Sequence, residues 1–179
     1  MSSWKLARTV LDKVPSLSML LCDNSPDVAK FLKPISDRDA IFDYHCGDGY
    51  KYVKSLSTQK LDFVFIDPPY KTDKSEKVSR DWAEVIKLAE YLKSKEVPFV
   101  VWYPIFTDKN PKMLQAKLGL PCLELLDNSF VTDDGLVGNN RQLKGAGMLF
   151  GGISESYIKS LTKLLNTELF VFGEVTFKN

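Results

Sequence analysis

Apolar residues in this chain fall either into short continuous runs or into stretches with a helical repeat. Runs of four to eight apolar residues between turn residues are typical of buried strands, and a repeat of three to four is typical of amphipathic helices. We predict strands at 18–22, 40–44, 62–66, 98–102, 122–131, 145–151 and 169–177. We predict helices at 4–13, 27–32, 50–56, 82–92, 109–118 and 154–165.

The order of these elements indicates the fold class. Strands that alternate with helices predict a mostly parallel sheet with helices on both faces, the α/β class. The last part of the chain changes to strand, strand, helix, strand, which favours an antiparallel edge. With 179 residues, 44% hydrophobic and 26% charged, the composition is ordinary for one globular domain, which we expect to cover 1–179.

Charge and cysteine content exclude several classes of protein. There are 24 Lys and Arg against 23 Asp and Glu, so the net charge of +1 gives no global attraction to nucleic acid. Cys22, Cys46 and Cys122 lack Cys-x-x-Cys spacing, which argues against a disulfide framework and a zinc site. No apolar run reaches the roughly 18 residues of a membrane span, and no export signal is present. We expect a cytoplasmic protein with reduced thiols, without metal or membrane contact.

The tetrapeptide Asp67-Pro68-Pro69-Tyr70 is the most informative motif. It follows the apolar run 62–66, which reads as a central strand that stops abruptly. In α/β sheets, ligands bind outside the carboxyl ends of the strands, where Asp67 would emerge. The alternative interpretation is a proline turn with a solvated Asp67.

Each residue of the tetrapeptide suits chemistry on an exocyclic amine. The lone pair of such an amine is delocalised into its ring, so an enzyme must hold the hydrogens and direct the lone pair at an electrophile. Asp67 supplies an ionised acceptor, and the prolines would hold the Pro68 carbonyl rigidly as a second one. Tyr70 offers a flat face for a base removed from its stack.

This tetrapeptide resembles the signature of S-adenosylmethionine-dependent amino-methyltransferases acting on adenine, cytosine or glutamine. Other segments, in their order and spacing, are similar to the bacterial 23S ribosomal RNA adenine-N6 methyltransferases of the RlmJ type. They are Ser3 with Leu6-Ala7-Arg8, Leu21-Cys22-Asp23 ahead of Pro26, Gly47-Asp48-Gly49-Tyr50, Val101-Trp102-Tyr103-Pro104 and Gly145-Ala146-Gly147-Met148. The resemblance implies a Rossmann-like class I methyltransferase domain, a monomer that methylates the N6 amine of an adenine in 23S ribosomal RNA.

The resemblance also implies a site for S-adenosylmethionine. Asp23, at a strand end, would accept hydrogen bonds from the ribose hydroxyls, although it could instead cap a helix with its neighbours Asn24 and Ser25. Asp48 would accept from the adenine amine while Gly49 admits the ring, although Gly-Asp-Gly alone is more often a turn. Ser3 matches a serine that contacts the cofactor.

The catalytic residues implied by the resemblance are Asp67, Pro68 and Tyr70, and Asp67 also belongs to the cofactor set. The family carries, ahead of the segment that matches Ser3, a first strand, a glycine-rich turn and histidines that approach the cofactor. This chain matches only the later part, so we expect an incomplete cofactor site. DNA adenine methylation and a non-catalytic nucleic-acid-binding module remain as alternatives.

Three aromatic or imidazole side chains have weaker signals. Trp102 and Tyr103 could form a wall of the base pocket, but aromatic residues in such a strand more often belong to a core. The single histidine, His45, is interpreted as a packing or turn residue.

The basic residues that follow the motif could meet RNA phosphates or lie on a solvated loop; they are Lys71, Lys74, Lys77 and Arg80.

Overall fold

The computed structural model describes residues 3–11, 13–14, 16–68, 76–106, 110–127, 143–168 and 173–178. The chain divides into two compact units, residues 1–56 and 57–179, and each is described by itself. The predicted α/β class is confirmed, since helices and strands follow one another in the predicted order. The prediction of a single domain over 1–179 stays a prediction.

The first unit contains a pair of parallel strands joined by a helix. Its elements are α1 (Ser3–Leu11), β1 (Met19–Asp23), α2 (Pro26–Ser36), β2 (Phe42–Cys46) and α3 (Gly49–Ser55). The two strands run from the pair Met19 and Phe42 to the pair Asp23 and Cys46. Phe42 of β2 and Leu32 of α2 are both only 2% exposed, so the most buried side chains of this unit belong to the helix and the sheet.

The second unit is built on a mixed sheet. Its elements are a 3-10 turn (Thr58–Lys60), β3 (Val64–Ile66), α4 (Glu76–Ser94), β4 (Phe99–Phe106), α5 (Asn110–Leu118), β5 (Cys122–Asp127), β6 (Leu143–Gly151), α6 (Glu155–Glu168) and β7 (Gly173–Lys178). The strand order is β3-β4-β6-β5-β7. The pair β3 and β4 is parallel, and the other three pairs are antiparallel, as the change of pattern late in the sequence predicts.

The motif strand β3 differs from its prediction. We expected a central strand, but β3 lies at one edge of the five-stranded sheet and pairs, within the described residues, with β4 alone. Its residues Val64 and Ile66 are buried, whereas Phe65 between them is 46% exposed. One face of β3 is therefore packed and the other is open, although every residue of the strand is apolar.

The core of the second unit occupies both faces of the sheet. On one face, Val100 of β4 packs with Ile158 of α6 and with Val175 of β7. Successive side chains of a strand point to opposite faces. Phe99, Val101 and Tyr103 therefore occupy the other face of β4, and all three are fully buried.

Glycines of β6 make room for aromatic rings of β4. Gly147 lies opposite Tyr103, and Gly151 lies opposite Phe99. A Cβ atom at Gly147 would stand 2.1 Å from Cζ of Tyr103, and one at Gly151 would stand 2.2 Å from Cε1 of Phe99. Each ring lies over a position that only glycine leaves open. This close approach gives a packing reason for both glycines.

Candidate functional site

The loops that follow β1 and β2 lie side by side at the carboxyl ends of these parallel strands. Asp23 pairs with Cys46, and the Gly47 amide donates to the Asp23 carbonyl at 3.0 Å. The Tyr44 hydroxyl donates to the same carbonyl at 3.2 Å. Burial, aided by the nearby Cys46 thiol, raises the pKa of Tyr44 to about 12, so the phenol stays a neutral donor. Hydrogen bonds thus join the end of β1 to β2 and its following loop, at the carboxyl ends of the two strands.

The carboxylate of Asp23 is only half used by the fold. Its Oδ1 atom accepts from the Ser25 amide at 2.7 Å, and Oδ2 has no hydrogen-bond partner in the part of the chain that the structure describes. Ser25, rather than Asp23, is the N-cap of α2, since its hydroxyl accepts from the Val28 amide. The alternative interpretation, a helix cap formed with Asn24 and Ser25, is therefore confirmed for Ser25, whereas Asp23 bonds only the amide of that cap residue and keeps one carboxylate oxygen without a partner among the described residues.

Asp48 has a structural role that differs from the turn given as the alternative for Gly-Asp-Gly. It is the N-cap of α3: Oδ1 accepts from the Lys51 amide at 3.1 Å, and Oδ2 lies 3.6 Å from the Lys51 ammonium. Gly49 likewise has a packing reason, because a Cβ atom there would stand 2.9 Å from Cβ of Cys22. The predicted contacts of Asp48 and Gly49 with an adenine ring stay predictions.

His45 has the packing role that we predicted. Its ring stacks on that of Tyr52 in α3, with centroids 3.7 Å apart and planes inclined by 8°. Gly47 fits against the same imidazole, since a Cβ atom there would stand 2.8 Å from Nε2. The stack ties α3 to β2 beside the loop that carries Asp48.

Asp67 follows the last residue of β3, as the motif predicts. The residue is exposed, and its neighbour Pro68 is half-buried. Atoms packed around the carboxyl desolvate it enough to raise the pKa of Asp67 above the ordinary value of 3.8. Among the described residues, no charged neighbour contributes to this shift and none forms a hydrogen bond or ion pair with the carboxylate. Asp67 is an acceptor that the described part of the fold does not employ.

Trp102 and Tyr103 have different environments. Ile66 pairs with Val101 across parallel strands, and Asp67 and Trp102 are the residues that follow this pair in the chain. Trp102 is half-buried there. Tyr103 is fully buried, and its hydroxyl donates to Oε1 of Glu124 at 2.9 Å. Tyr103 thus belongs to the core and forms no pocket wall.

Sequence reasoning missed Glu124, a charged residue of β5 that is only 6% exposed. Besides the Tyr103 hydroxyl, it binds the Lys178 ammonium through Oε2. The available signal was a glutamate inside an otherwise apolar run, since an unpaired charge is rarely buried. Its partners are distant in sequence.

The predicted site residues are distributed over both units. Asp23, Asp48 and Gly49 come together in the first, and Asp67 and Pro68 belong to the second. Ser3 begins α1, but its side chain is outside the described part. Tyr70 lies outside the described residues, as do Lys71 and Lys74, and the side chains of Lys77 and Arg80 are also outside them.

A metal-binding cluster and a membrane-spanning helix are both absent from the described ranges. No group of three or more His, Cys, Asp or Glu side chains there could hold a metal ion. None of the helices in these ranges is both long and apolar enough to span a membrane.

Comparison with known proteins supplies the family and the fold. A family model described as "Ribosomal RNA large subunit methyltransferase D, RlmJ" matches residues 2–165. The chain is also similar to a crystal structure of protein LPL1258 from Legionella pneumophila strain Philadelphia 1, assigned to the DUF519 family model, with a TM-score of 0.67 and 19% identity. That match covers 90% of this chain and 59% of the other. Comparison with curated proteins gives no significant match. The likeness confirms the predicted Rossmann-like methyltransferase fold.

Proposed function

Because the chain belongs to the ribosomal RNA large subunit methyltransferase D family, RlmJ, we propose that it methylates the N6 amine of an adenine in 23S ribosomal RNA. The observation that carries this proposal is that the carboxylate of Asp67 is exposed and unbonded within the described residues. Its carboxylate stands at the carboxyl end of β3, exposed and without a partner among the described residues. A carboxylate kept for structure would be expected to bond to the fold, as those of Asp48 and Glu124 do.

The first unit offers groups that fit the nucleoside part of S-adenosylmethionine. The open Oδ2 atom of Asp23 fits the ribose hydroxyls, because an ionised carboxylate can accept two hydrogen bonds at once. We assign the adenine amine to Asp48 and the approach of the ring to Gly49. Ser3 is the remaining residue of this set. When bound, the cofactor would supply the methyl group as an electrophile.

The second unit would hold the acceptor base. Asp67 and the Pro68 carbonyl would each accept one hydrogen of the adenine amine, which turns the nitrogen lone pair toward the methyl donor. Tyr70 would stack on the flipped base, a contact worth about 1–3 kcal/mol. Rate enhancement would come chiefly from orientation and from fixed acceptors, and no metal is required. We expect a monomer that works in the cytoplasm.

The test replaces Asp67 by asparagine, with Asp62→Asn as the matched control. Asp62 is an exposed aspartate at the other end of the same motif run, so both variants lose one carboxylate from that run. In the full-length protein, transfer of labelled methyl to 23S ribosomal RNA should be abolished in Asp67→Asn and kept in Asp62→Asn. Methylation near the parental level in Asp67→Asn contradicts the proposed role.

Stability distinguishes loss of chemistry from loss of folding. Since the pKa of Asp67 is raised in the folded state, its ionised form opposes folding, and this cost appears as the pH rises through the folded pKa. Asp67→Asn should therefore unfold at no lower denaturant concentration than the parent at pH 7. Unmethylated DNA in a parallel reaction tests the alternative substrate, and preferential labelling of DNA would replace RNA in the proposal.

A further inference from the structure

One residue from each of four strands lies in a single row across the second unit. Tyr103 of β4 pairs with Gly147 of β6, which pairs with Glu124 of β5, which pairs with Thr176 of β7. Lys178 lies two residues beyond Thr176 on the same face and binds Glu124. We call Tyr103, Gly147, Glu124 and Lys178 the cross-sheet strut.

The strut depends on the fact that Gly147, as a glycine, has no side chain. Tyr103 and Glu124 belong to strands that are not neighbours, since β6 runs between them. The tyrosine ring passes over Gly147, and its hydroxyl then reaches Oε1 of Glu124 at 2.9 Å. Burial is the main reason that the pKa of Tyr103 is raised above its ordinary value, which favours the protonated hydroxyl that donates to Glu124.

Stability alone does not account for a buried charge in this place. Replacement of buried ion pairs by apolar residues of similar volume is often neutral or stabilising. Hydrogen bonds to a charged group are strong and directional, so they fix the positions of the groups that they join. The strut therefore fixes where the carboxyl half of β4 stands relative to β5 and β7.

The fixed part of β4 lies beside the motif. Val64, Phe65 and Ile66 are the residues of β3 that pair with β4, and Ile66 lies opposite Val101. Tyr103 lies two residues beyond Val101 on β4, and Asp67 directly follows Ile66 at the end of β3. These three pairs are the described link between β3 and the sheet, so the place where the chain leaves β3 at Asp67 depends on the position of β4.

We propose that the cross-sheet strut positions the Asp67-Pro68 turn, with Tyr103 and Glu124 as positioning residues. This inference rests on the proposed function for its catalytic consequence. Lys178, which completes the strut, lies beyond the residues 2–165 that match the family model.

The first test is Tyr103→Phe, which removes one hydroxyl and leaves Glu124 paired with Lys178. Tyr157→Phe is the matched control, because Tyr157 is 62% exposed on α6. Amide hydrogen exchange at Ile66 and Trp102 should accelerate about tenfold or more in Tyr103→Phe, the size expected for a lost bond to a charged group, and stay unchanged in β1 and β2. The control should match the parent throughout.

The second readout separates positioning from folding. At a temperature where the variant is fully folded, kcat for methyl transfer should fall about tenfold while KM for S-adenosylmethionine changes little. Glu124→Gln keeps an oxygen for the Tyr103 hydroxyl and should lose about fivefold or less, whereas Glu124→Leu should match Tyr103→Phe.

Unchanged exchange at Ile66 in Tyr103→Phe would overturn the inference, and so would accelerated exchange with parental kcat. Failure of the proposed function would give a different result, because the parent protein itself would then methylate no RNA. In that case the exchange rates at Ile66 and Trp102 decide alone whether the strut holds the motif strand.

Discussion

Replacement of Gly147 by alanine should be among the most damaging single-methyl changes in the second unit. The added Cβ would stand 2.1 Å from Cζ, 2.4 Å from the hydroxyl oxygen and 2.5 Å from Cε2 of Tyr103. Ordinary carbon contacts begin near 3.5 Å, so the ring would have to move by more than about 1 Å. Tyr103 is fully buried and its hydroxyl is bonded to Glu124, so a shift of this size would disturb both its packing and that bond.

Two effects set the magnitude of the loss. Overpacking a core costs about 1–3 kcal/mol, and separation of a hydrogen bond to a buried carboxylate costs about 1.5–3 kcal/mol. Together they lower the free energy of unfolding by about 2.5–6 kcal/mol. For a chain of this size, that corresponds to a fall of about 5–24 °C in Tm.

A double-mutant cycle with Tyr103→Ala tests the stated cause. Once the Tyr103 ring is removed, the methyl group added at position 147 no longer clashes with it and fills part of the cavity that the ring leaves. Gly147→Ala should therefore cost about 1 kcal/mol or less in that background. Unfolding in urea, followed by circular dichroism, measures all four corners of the cycle. Gly145→Ala is the control, because its Cβ would meet the backbone oxygen of Leu125 at 2.2 Å whatever residue occupies position 103. Additive losses at 147 and 103 would refute the packing argument.

Three further predictions concern the candidate site. Because desolvation raises the pKa of Asp67, methyl transfer should decline on acidification at a higher pH than an ordinary aspartate allows, which the acid limb of a kcat/KM profile would show; an acid limb centred at or below 3.8 contradicts it. Tyr70→Phe should keep most activity and Tyr70→Ala should lose about 5- to 150-fold, the value of one stacked base, whereas equal losses would implicate the hydroxyl. Asp48→Ala should cost about 1 kcal/mol of stability as a lost helix cap and should also weaken cofactor binding, whereas Asp23→Ala should chiefly weaken cofactor binding in calorimetric titration, and unchanged cofactor binding in either variant contradicts its assignment.

Local patterns predicted the type and order of the elements well. The repeat through Trp82, Val85 and Leu92 predicted a helix that the structure extends over Glu76–Ser94. The strands predicted at 98–102 and 122–131 begin within one residue of β4 and β5. These signals are local, so they can be read without knowledge of the partners that each element meets.

Features that depend on distant residues were not predictable. The run 62–66 does not show that Phe65 would face outward at a sheet edge, since burial there depends on which strand lies alongside. The strut joins residues 21 and 54 positions apart, so no window of sequence contains it.

In the candidate site too, one feature could be predicted from the sequence and another could not. The position of Asp67 at the end of β3 followed from the motif alone. The choice between Asp23 and Ser25 as the cap of α2 did not, because both are good N-cap residues at nearby positions. Ser25 has the extended backbone of an N-cap, with φ −80° and ψ 122°, and only the coordinates reveal this.

The ion pair of the strut also has a consequence for synthesis on the ribosome. Glu124 precedes its partner Lys178 by 54 positions. At about 5–20 residues per second, translation separates the two by about 3–11 s. During that interval, burial of the carboxylate would leave it without its cation, at a cost of about 3–5 kcal/mol. The face of the sheet around Glu124 must therefore stay hydrated until β7 emerges, so this unit finishes folding only after its last strand has been made.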